Sequence, residues 1–315
     1  MTAPAPATGA DADAASGARF TRFDESFLRK LETLVMTIRR SAAGELRGGR
    51  RSRRVGAGLE FADHRDYAPG EDPRYLDWNL YGRLGRLALR LFEEDEDLLI
   101  DVLVDASASM AGGAPSKLDL AAQMGAALGY VGLANLDRVA VTVFGETVAA
   151  LPAARGKARI LPILGLLDGV RATGTTPLAA GVRDFLARRR GRQRGLAIVI
   201  SDFYDAAGFR RAVDLLRHHR LEVVAIQISA PEELHPERVT ALRGDVRLRD
   251  AETGEIRELT ISAGVLAEVR RRHEALVRGL EGFCRERGIP CFPVVSDQPF
   301  DALVLRMFRA GGLLG

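Results

Sequence analysis

VLVDASASM, residues 102–110, decides how this chain is read. With Leu98, Leu99 and Ile100 just before it, the run is apolar without alternation, as in a strand buried on both faces. It ends on an acid, Asp105, followed at alternate positions by Ser107 and Ser109. Outward from this stretch the same rhythm repeats. LLIDVLVD (98–105), RVAVTVFG (138–145), LAIVISD (196–202) and LEVVAIQI (221–228) read as strands, and CFPVVS (291–296) as a weaker one. Helical segments lie between them at Lys117 to Ala134, Pro177 to Arg190 and Gly208 to His219. Apolar strands alternating with helices predict an α/β fold, a doubly wound, mainly parallel, Rossmann-like sheet covered on both faces.

In such a sheet ligands bind beyond the carboxyl ends of the strands. Asp105 closes one strand and Asp202 another, and the loop ATGTTPLAAGV adds Thr175 and Thr176. Asp105, Ser107, Ser109, a threonine and Asp202 therefore form a candidate set of hard oxygen donors. No histidine or cysteine is near them in sequence, so zinc and copper are disfavoured, while Mg2+ or Mn2+ fits. At most two carboxylates leave such an ion under-neutralised, with a position open to a carboxylate from outside. That chemistry recruits an acidic partner rather than activating water. The bland alternative is that Asp-x-Ser-x-Ser only caps a helix.

Elsewhere the sequence is plainer. Of 315 residues, 47% are hydrophobic, and the formal net charge is +3 with an isoelectric point near 9.1. Only Lys30, Lys117 and Lys157 are lysines among 45 basic residues. Cys284 and Cys291 lack metal-binding spacing and read as core thiols of a reducing, cytoplasmic protein. Residues 1–22 form a tail that reads as disordered, with no apolar leader, and no run is long enough to span a bilayer. Phe23 to Arg40 carries Phe27, Leu28, Leu31, Leu34, Val35 and Ile38 at helical spacing. RGGRRSRRVGAG reads as a basic loop that the acidic run Glu93 to Asp97 can pair, LALRLFEE as an edge strand, and Trp78 in PGEDPRYLDW as a buried packing residue. VRLRDAETGEIRELT (246–260) reads as a β-hairpin, and Ser262 as the cap of a long helix to about Arg287. The expected division is an N-terminal helix and Arg/Gly-rich segment at 23–95, the α/β domain at 96–300 with a hairpin inserted at about 245–261, and a C-terminal helix and tail at 301–315.

DASAS resembles the Asp-x-Ser-x-Ser of the metal-ion-dependent adhesion site in von Willebrand factor A domains. GTTPL is similar to that fold's Gly-Gly-Thr-Pro-Leu loop, which places its threonine at Thr176. ISD is similar to its distal Thr-Asp-Gly, with Asp202 as the acid and Phe203 where the glycine would be. Upstream, S-x-x-x-G-x-G-x-E-F at Ser52 to Phe61 and R-D-Y-x-P-G-E-D-x-R-x-x-D-W at Arg65 to Trp78 resemble the bacterial "domain of unknown function 58" family. The resemblance implies a von Willebrand factor A-like domain binding Mg2+ or Mn2+ through Asp105, Ser107, Ser109, Thr176 and Asp202. Thr176 would join the site in one state only, and Asp202 would act mainly through water. It also implies an accessory role beside a MoxR-type AAA+ ATPase, in the assembly or maturation of other proteins.

Competing classes are weaker. A metal-dependent phosphohydrolase needs a second acid just after Asp105, where Ser107 stands. A serine hydrolase needs a G-x-S-x-G elbow, which is not evident. A nucleic-acid binder would use the arginine loop, but no aromatic residues interleave with it. The sequence therefore points to a non-catalytic binding module, with a protein partner and no nucleic acid.

Overall fold

The computed structural model describes residues 20–45, 51–55, 60–95, 98–175, 178–189, 194–239, 244–250 and 254–311. Most of the N-terminal tail, Arg47, Arg50 and Thr176 lie outside them. The chain begins with α1 (Glu25–Glu45), β1 (Arg51–Val55), β2 (Glu60–Asp66), α2 (Trp78–Leu84) and β3 (Ala88–Asp95). There follow β4 (Leu99–Asp105), α3 (Lys117–Ala134), β5 (Arg138–Phe144), β6 (Val148–Ala154), α4 (Ile160–Gly169), α5 (Leu178–Arg188), β7 (Gly195–Ser201), α6 (Ala206–His218) and β8 (Leu221–Ser229). The last elements are α7 (Pro231–Leu234), the hairpin β9 (Gly244–Arg249) and β10 (Ile256–Ile261), α8 (Ala263–Glu286), β11 (Cys291–Val295) and α9 (Phe300–Arg309).

The main sheet has the order β11-β8-β7-β4-β5-β6. Every pair is parallel except β5–β6. Because side chains alternate across a strand, each inner strand feeds two cores. Val102 and Val104 of β4 join Ile198 and Ile200 of β7 under α1, α3, α4 and α9. Leu103, Ala197 and Val199 face the other way, with Val182 and Phe185 of α5, Val213 of α6 and Phe283 of α8. This is the doubly wound α/β sheet that the apolar runs predict. The chain leaves β4 toward β5 on one side and returns to β7 on the other, so the order reverses between β4 and β7. The carboxyl ends of these two strands flank the crevice where such sheets bind ligands.

Several local readings change. Residues 51–55 of the basic stretch form strand β1 rather than loop. β3 is not an edge strand but the centre of a separate antiparallel sheet, β1-β3-β2. Its register sets Arg51 opposite Asp95 and Arg53 opposite Glu93, bringing basic and acidic runs together along the backbone. Trp78 is 59% exposed, because α2 turns its aromatic residues outward and Leu76 and Leu89 take the buried positions. α1 extends past Arg40 to Glu45, and its apolar stripe enters the main core, with the Phe27 and Phe300 rings 4.6 Å apart. β6 and α4 escape a sequence reading: VAALPAA alternates weakly around a proline, and ILPILGLLDG mixes apolar residues with proline and glycine. Among the described residues no helix is long and apolar enough to cross a membrane.

α5 lies close to the sheet because Gly181 leaves room for an aromatic ring. A Cβ there would fall 2.7 Å from Phe144, which is fully buried. Gly181→Ala gains about 1 kcal/mol of helix propensity but overpacks the ring at a cost of about 1–3 kcal/mol. The expected result is a net loss of stability, read as a lower urea midpoint. A higher midpoint would show that the ring yields freely.

Candidate functional site

Asp105 ends β4 with a nearly buried carboxyl. Its Oδ1 accepts the Ser107 amide at 2.8 Å, and its Oδ2 accepts the Ser201 hydroxyl at 2.6 Å. The Ser107 and Ser109 hydroxyl oxygens are 3.1 Å apart, so both project into one small volume beside the acid. The turn carrying them is pinned by backbone bonds. The Ala106 amide donates to the Phe144 carbonyl at 2.8 Å, the Thr173 amide to the Ala106 carbonyl at 3.0 Å, and the Ala108 amide to the Gly174 carbonyl at 2.9 Å. The last two bonds bring the Gly-Thr-Thr loop to the DASAS turn. Gly174 is needed there: its φ is +71°, and a Cβ would fall 2.7 Å from Glu146 Cβ. Thr175 in this loop is exposed. The serines do not cap α3: Ser116 does so, accepting the Asp119 amide, and Ser107 makes no side-chain cap bond.

Asp202 follows β7 across the switch point and is also buried. Its Oδ1 accepts the Tyr204 amide at 3.2 Å. Its Oδ2 takes a partner that the sequence reading missed, the ammonium of Lys117, at 2.8 Å. Lys117 Nζ also donates to Glu233 Oε1 at 2.6 Å and lies 4.5 Å from the Tyr204 ring centre. Glu233 in α7 is fixed in turn, its Oε2 accepting the Ala230 amide at 2.8 Å. Lys117 is fully buried. The one available signal was its identity, a lysine in a chain that otherwise uses arginine almost throughout. A compact ammonium can serve two carboxylates and an aromatic face in a space that a planar guanidinium does not fit.

Phe203, standing where the resembling motif has glycine, has φ +53°. Non-glycine residues rarely adopt this left-handed region. Its amide donates to Ser201 Oγ at 3.0 Å, and its buried ring packs at a tilt against Phe209, with ring centroids 4.4 Å apart. Backbone strain of this kind, held by a packed side chain, concentrates at functional sites.

The two acids differ electrically. Burial pushes the Asp105 carboxyl up to about 6, against the pull of the bonds from Ser201 and Ser107, and the nearby charge of Asp202 adds to the rise. Asp202 has an ammonium in contact, whereas Asp105 has neutral donors. Asp101, four residues back on the same face of β4, is also raised to about 6 by burial, but Arg189 answers it at 3.0 Å. Burial and the nearby Glu233 push the Tyr204 phenol up, so it stays protonated.

The donors present suit a hard divalent cation: one carboxylate with no cationic partner among the described residues, two convergent hydroxyls, and a second carboxylate across the crevice. Among the described residues no three His, Cys, Asp or Glu side chains cluster as metal ligands. Any ion here would depend on the serine hydroxyls, as the sequence reading requires.

Comparison with known proteins agrees with the motif reading. The model of the family described as "Protein of unknown function DUF58" matches residues 63–279, and the chain belongs to this family. An uncharacterized protein of Mycobacterium tuberculosis is 30% identical over 305 residues, covering 93% of each chain. One of Mycobacterium avium is 33% identical over 156 residues, 46% of this chain and 89% of its own. Among solved structures, the conserved hypothetical protein BatB from Bacteroides thetaiotaomicron aligns at 14% identity and a TM-score of 0.40, over 69% of this chain and 98% of its own. The manganese-loaded TRAP protein of Plasmodium vivax aligns at 18% identity and a TM-score of 0.35, over 42% and 57%.

An acid whose pKa is higher folded than unfolded weakens the fold as pH rises above the unfolded value, and the full penalty is reached above the folded one. For Asp105 the rise from 3.8 to about 6 corresponds to about 3 kcal/mol at neutral pH, a penalty that fades as pH falls from 6 toward 4. In chelator-treated protein, Asp105→Asn should therefore raise the melting temperature at pH 8, with the gain vanishing near pH 4. A gain independent of pH would mean that ionised Asp105 costs the fold nothing.

Proposed function

We propose that this chain is a non-catalytic, metal-dependent protein-interaction module. In this reading it is a cytoplasmic adaptor working with a MoxR-type AAA+ ATPase in the assembly or maturation of other proteins. The observation that carries the proposal is the buried Asp105 carboxylate beside two convergent serine hydroxyls, with no cationic partner among the described residues. Asp105, Ser107 and Ser109 would hold Mg2+ or Mn2+, with Thr176 and Asp202 completing the set. When bound, such an ion supplies a Lewis-acidic position that accepts a carboxylate from a partner protein.

The surrounding residues favour binding over catalysis. Asp105 Oδ2 is occupied by Ser201, and Ser107 stands where a phosphohydrolase would need a proton-transferring acid. One serine–histidine contact exists, Ser229 Oγ to His273 Nε2 at 2.9 Å, but both residues are buried. His273 Nδ1 meets no hydrogen-bond acceptor that would orient the ring as a base, and burial holds its pKa down.

Calorimetric titration of the full chain with Mn2+ should give saturable binding that Asp105→Ala with Ser107→Ala abolishes. Capture of a purified MoxR-type ATPase should weaken at least tenfold with chelator or in Asp105→Ala, with far-UV circular dichroism unchanged. Undiminished capture in Asp105→Ala would sink the mechanism.

A further inference from the structure

We propose that Lys117 is an internal cation that competes with the divalent ion for Asp202, and that Glu233 is the carboxylate that keeps the ammonium paired when Asp202 is released. The inference rests on the metal-binding reading of the site and goes past it, to how the protein sets the affinity of that site.

The geometry is specific. Lys117 opens α3, directly after the DASAS turn, and its amide donates to the Gly112 carbonyl at 2.8 Å. From there its side chain runs inward, and its ammonium contacts acids from two other strand ends. Asp202 follows β7 at 2.8 Å, and Glu233 follows β8 at 2.6 Å. The Gly112–Gly113 turn closes over the stem, since a Cβ on Gly112 would lie 3.7 Å from Lys117 Cε and 3.9 Å from Glu233 Oε1. No partner protein can reach this ammonium, so its task is internal.

A buried cation cannot lose all its partners at reasonable cost. Were Asp202 its sole acid, drawing that carboxylate toward a divalent ion would strand the ammonium. With Glu233 in place, Lys117 can yield Asp202 and keep one carboxylate and the Tyr204 face. An ammonium and a divalent ion both attract the same acid and repel each other. Removing the ammonium should therefore tighten metal binding, and removing its second acid should loosen it. A merely structural ion-pair cluster would weaken metal binding, or leave it unchanged, in both variants.

The test is Mn2+ calorimetry with parallel melting curves, at fixed pH, on the full-length wild type, Lys117→Met, Glu233→Gln and Asp105→Ala. The expected pattern is about tenfold tighter binding in Lys117→Met and about tenfold weaker binding in Glu233→Gln. Mn2+ should also raise the melting temperature of Lys117→Met more than that of the wild type. If Lys117→Met does not fold, Lys117→Gln takes its place and the same tightening is expected, because its neutral amide can still donate to the carboxylates of Asp202 and Glu233. Wild-type binding that is lost in Asp105→Ala but not weakened in Glu233→Gln, or not tightened in a folded Lys117→Met, overturns this inference and leaves the metal site standing. Absence of saturable binding in the wild type, or binding retained in Asp105→Ala, overturns the metal reading and this inference with it.

Discussion

Two carboxylates buried on neighbouring strand ends constrain everything around them. Asp105 and Asp202 lie on either side of the switch point of the sheet, both nearly out of water. Burying one unpaired carboxylate is costly, and burying two side by side is worse. The structure meets the two costs differently. Asp202 receives a buried ammonium, while Asp105 receives only a hydroxyl and an amide. The second arrangement leaves an acid whose proton affinity is raised and whose charge is unanswered. That imbalance is what the proposed metal reading rests on, since the Asp202 pair is already closed by Lys117.

Asp101 provides the control within the same strand. It shares the face, the burial and the direction of shift of Asp105, yet Arg189 sits against it. A raised carboxyl alone therefore does not mark the site. The mark is the conjunction of a raised carboxyl, two hydroxyls within hydrogen-bond distance of each other, and a loop whose backbone is tied to theirs. The Gly-Thr-Thr loop meets that condition through Gly174, whose backbone conformation and contact with Glu146 leave no room for a side chain.

Much of this was legible in the sequence, for a physical reason. Strands β4, β7 and β8 are buried on both faces along most of their length, so their residues are mainly apolar, and an acid or serine at their ends stands out. The rule that such sheets bind at strand ends then brings Asp105, Ser107, Ser109 and Asp202 together without any contact being known. β6 was not legible, because a half-exposed edge strand interrupted by proline carries little pattern. β1 was not, because RSRRV carries no alternation of apolar and polar residues. Trp78 misled because a large aromatic residue is usually buried, and α2 is too short to turn it inward. Thr176 remains a reading from the motif. Lys117 and Glu233 were invisible for a different reason: their contacts with one another and with Asp202 span 116 and 85 residues, and no local pattern records them.

Lys117 is the residue whose local and global environments conflict most. A cation in the first turn of a helix opposes the macrodipole, and α3 answers only in part with Asp119, which is itself engaged by Arg22 at 2.7 Å. Helix propensity gives no reason for lysine here, and burial gives a strong reason against it. The position makes sense only through the two carboxylates that converge on it from β7 and α7. A residue that local rules disfavour, and that distant charges alone justify, has been placed for those charges. The fold has thus installed a monovalent cation within reach of the acid that its metal site would also use. On the proposed reading, the affinity of that site would be set by a contest between two cations for Asp202, and not by the donor set of Asp105, Ser107 and Ser109 alone.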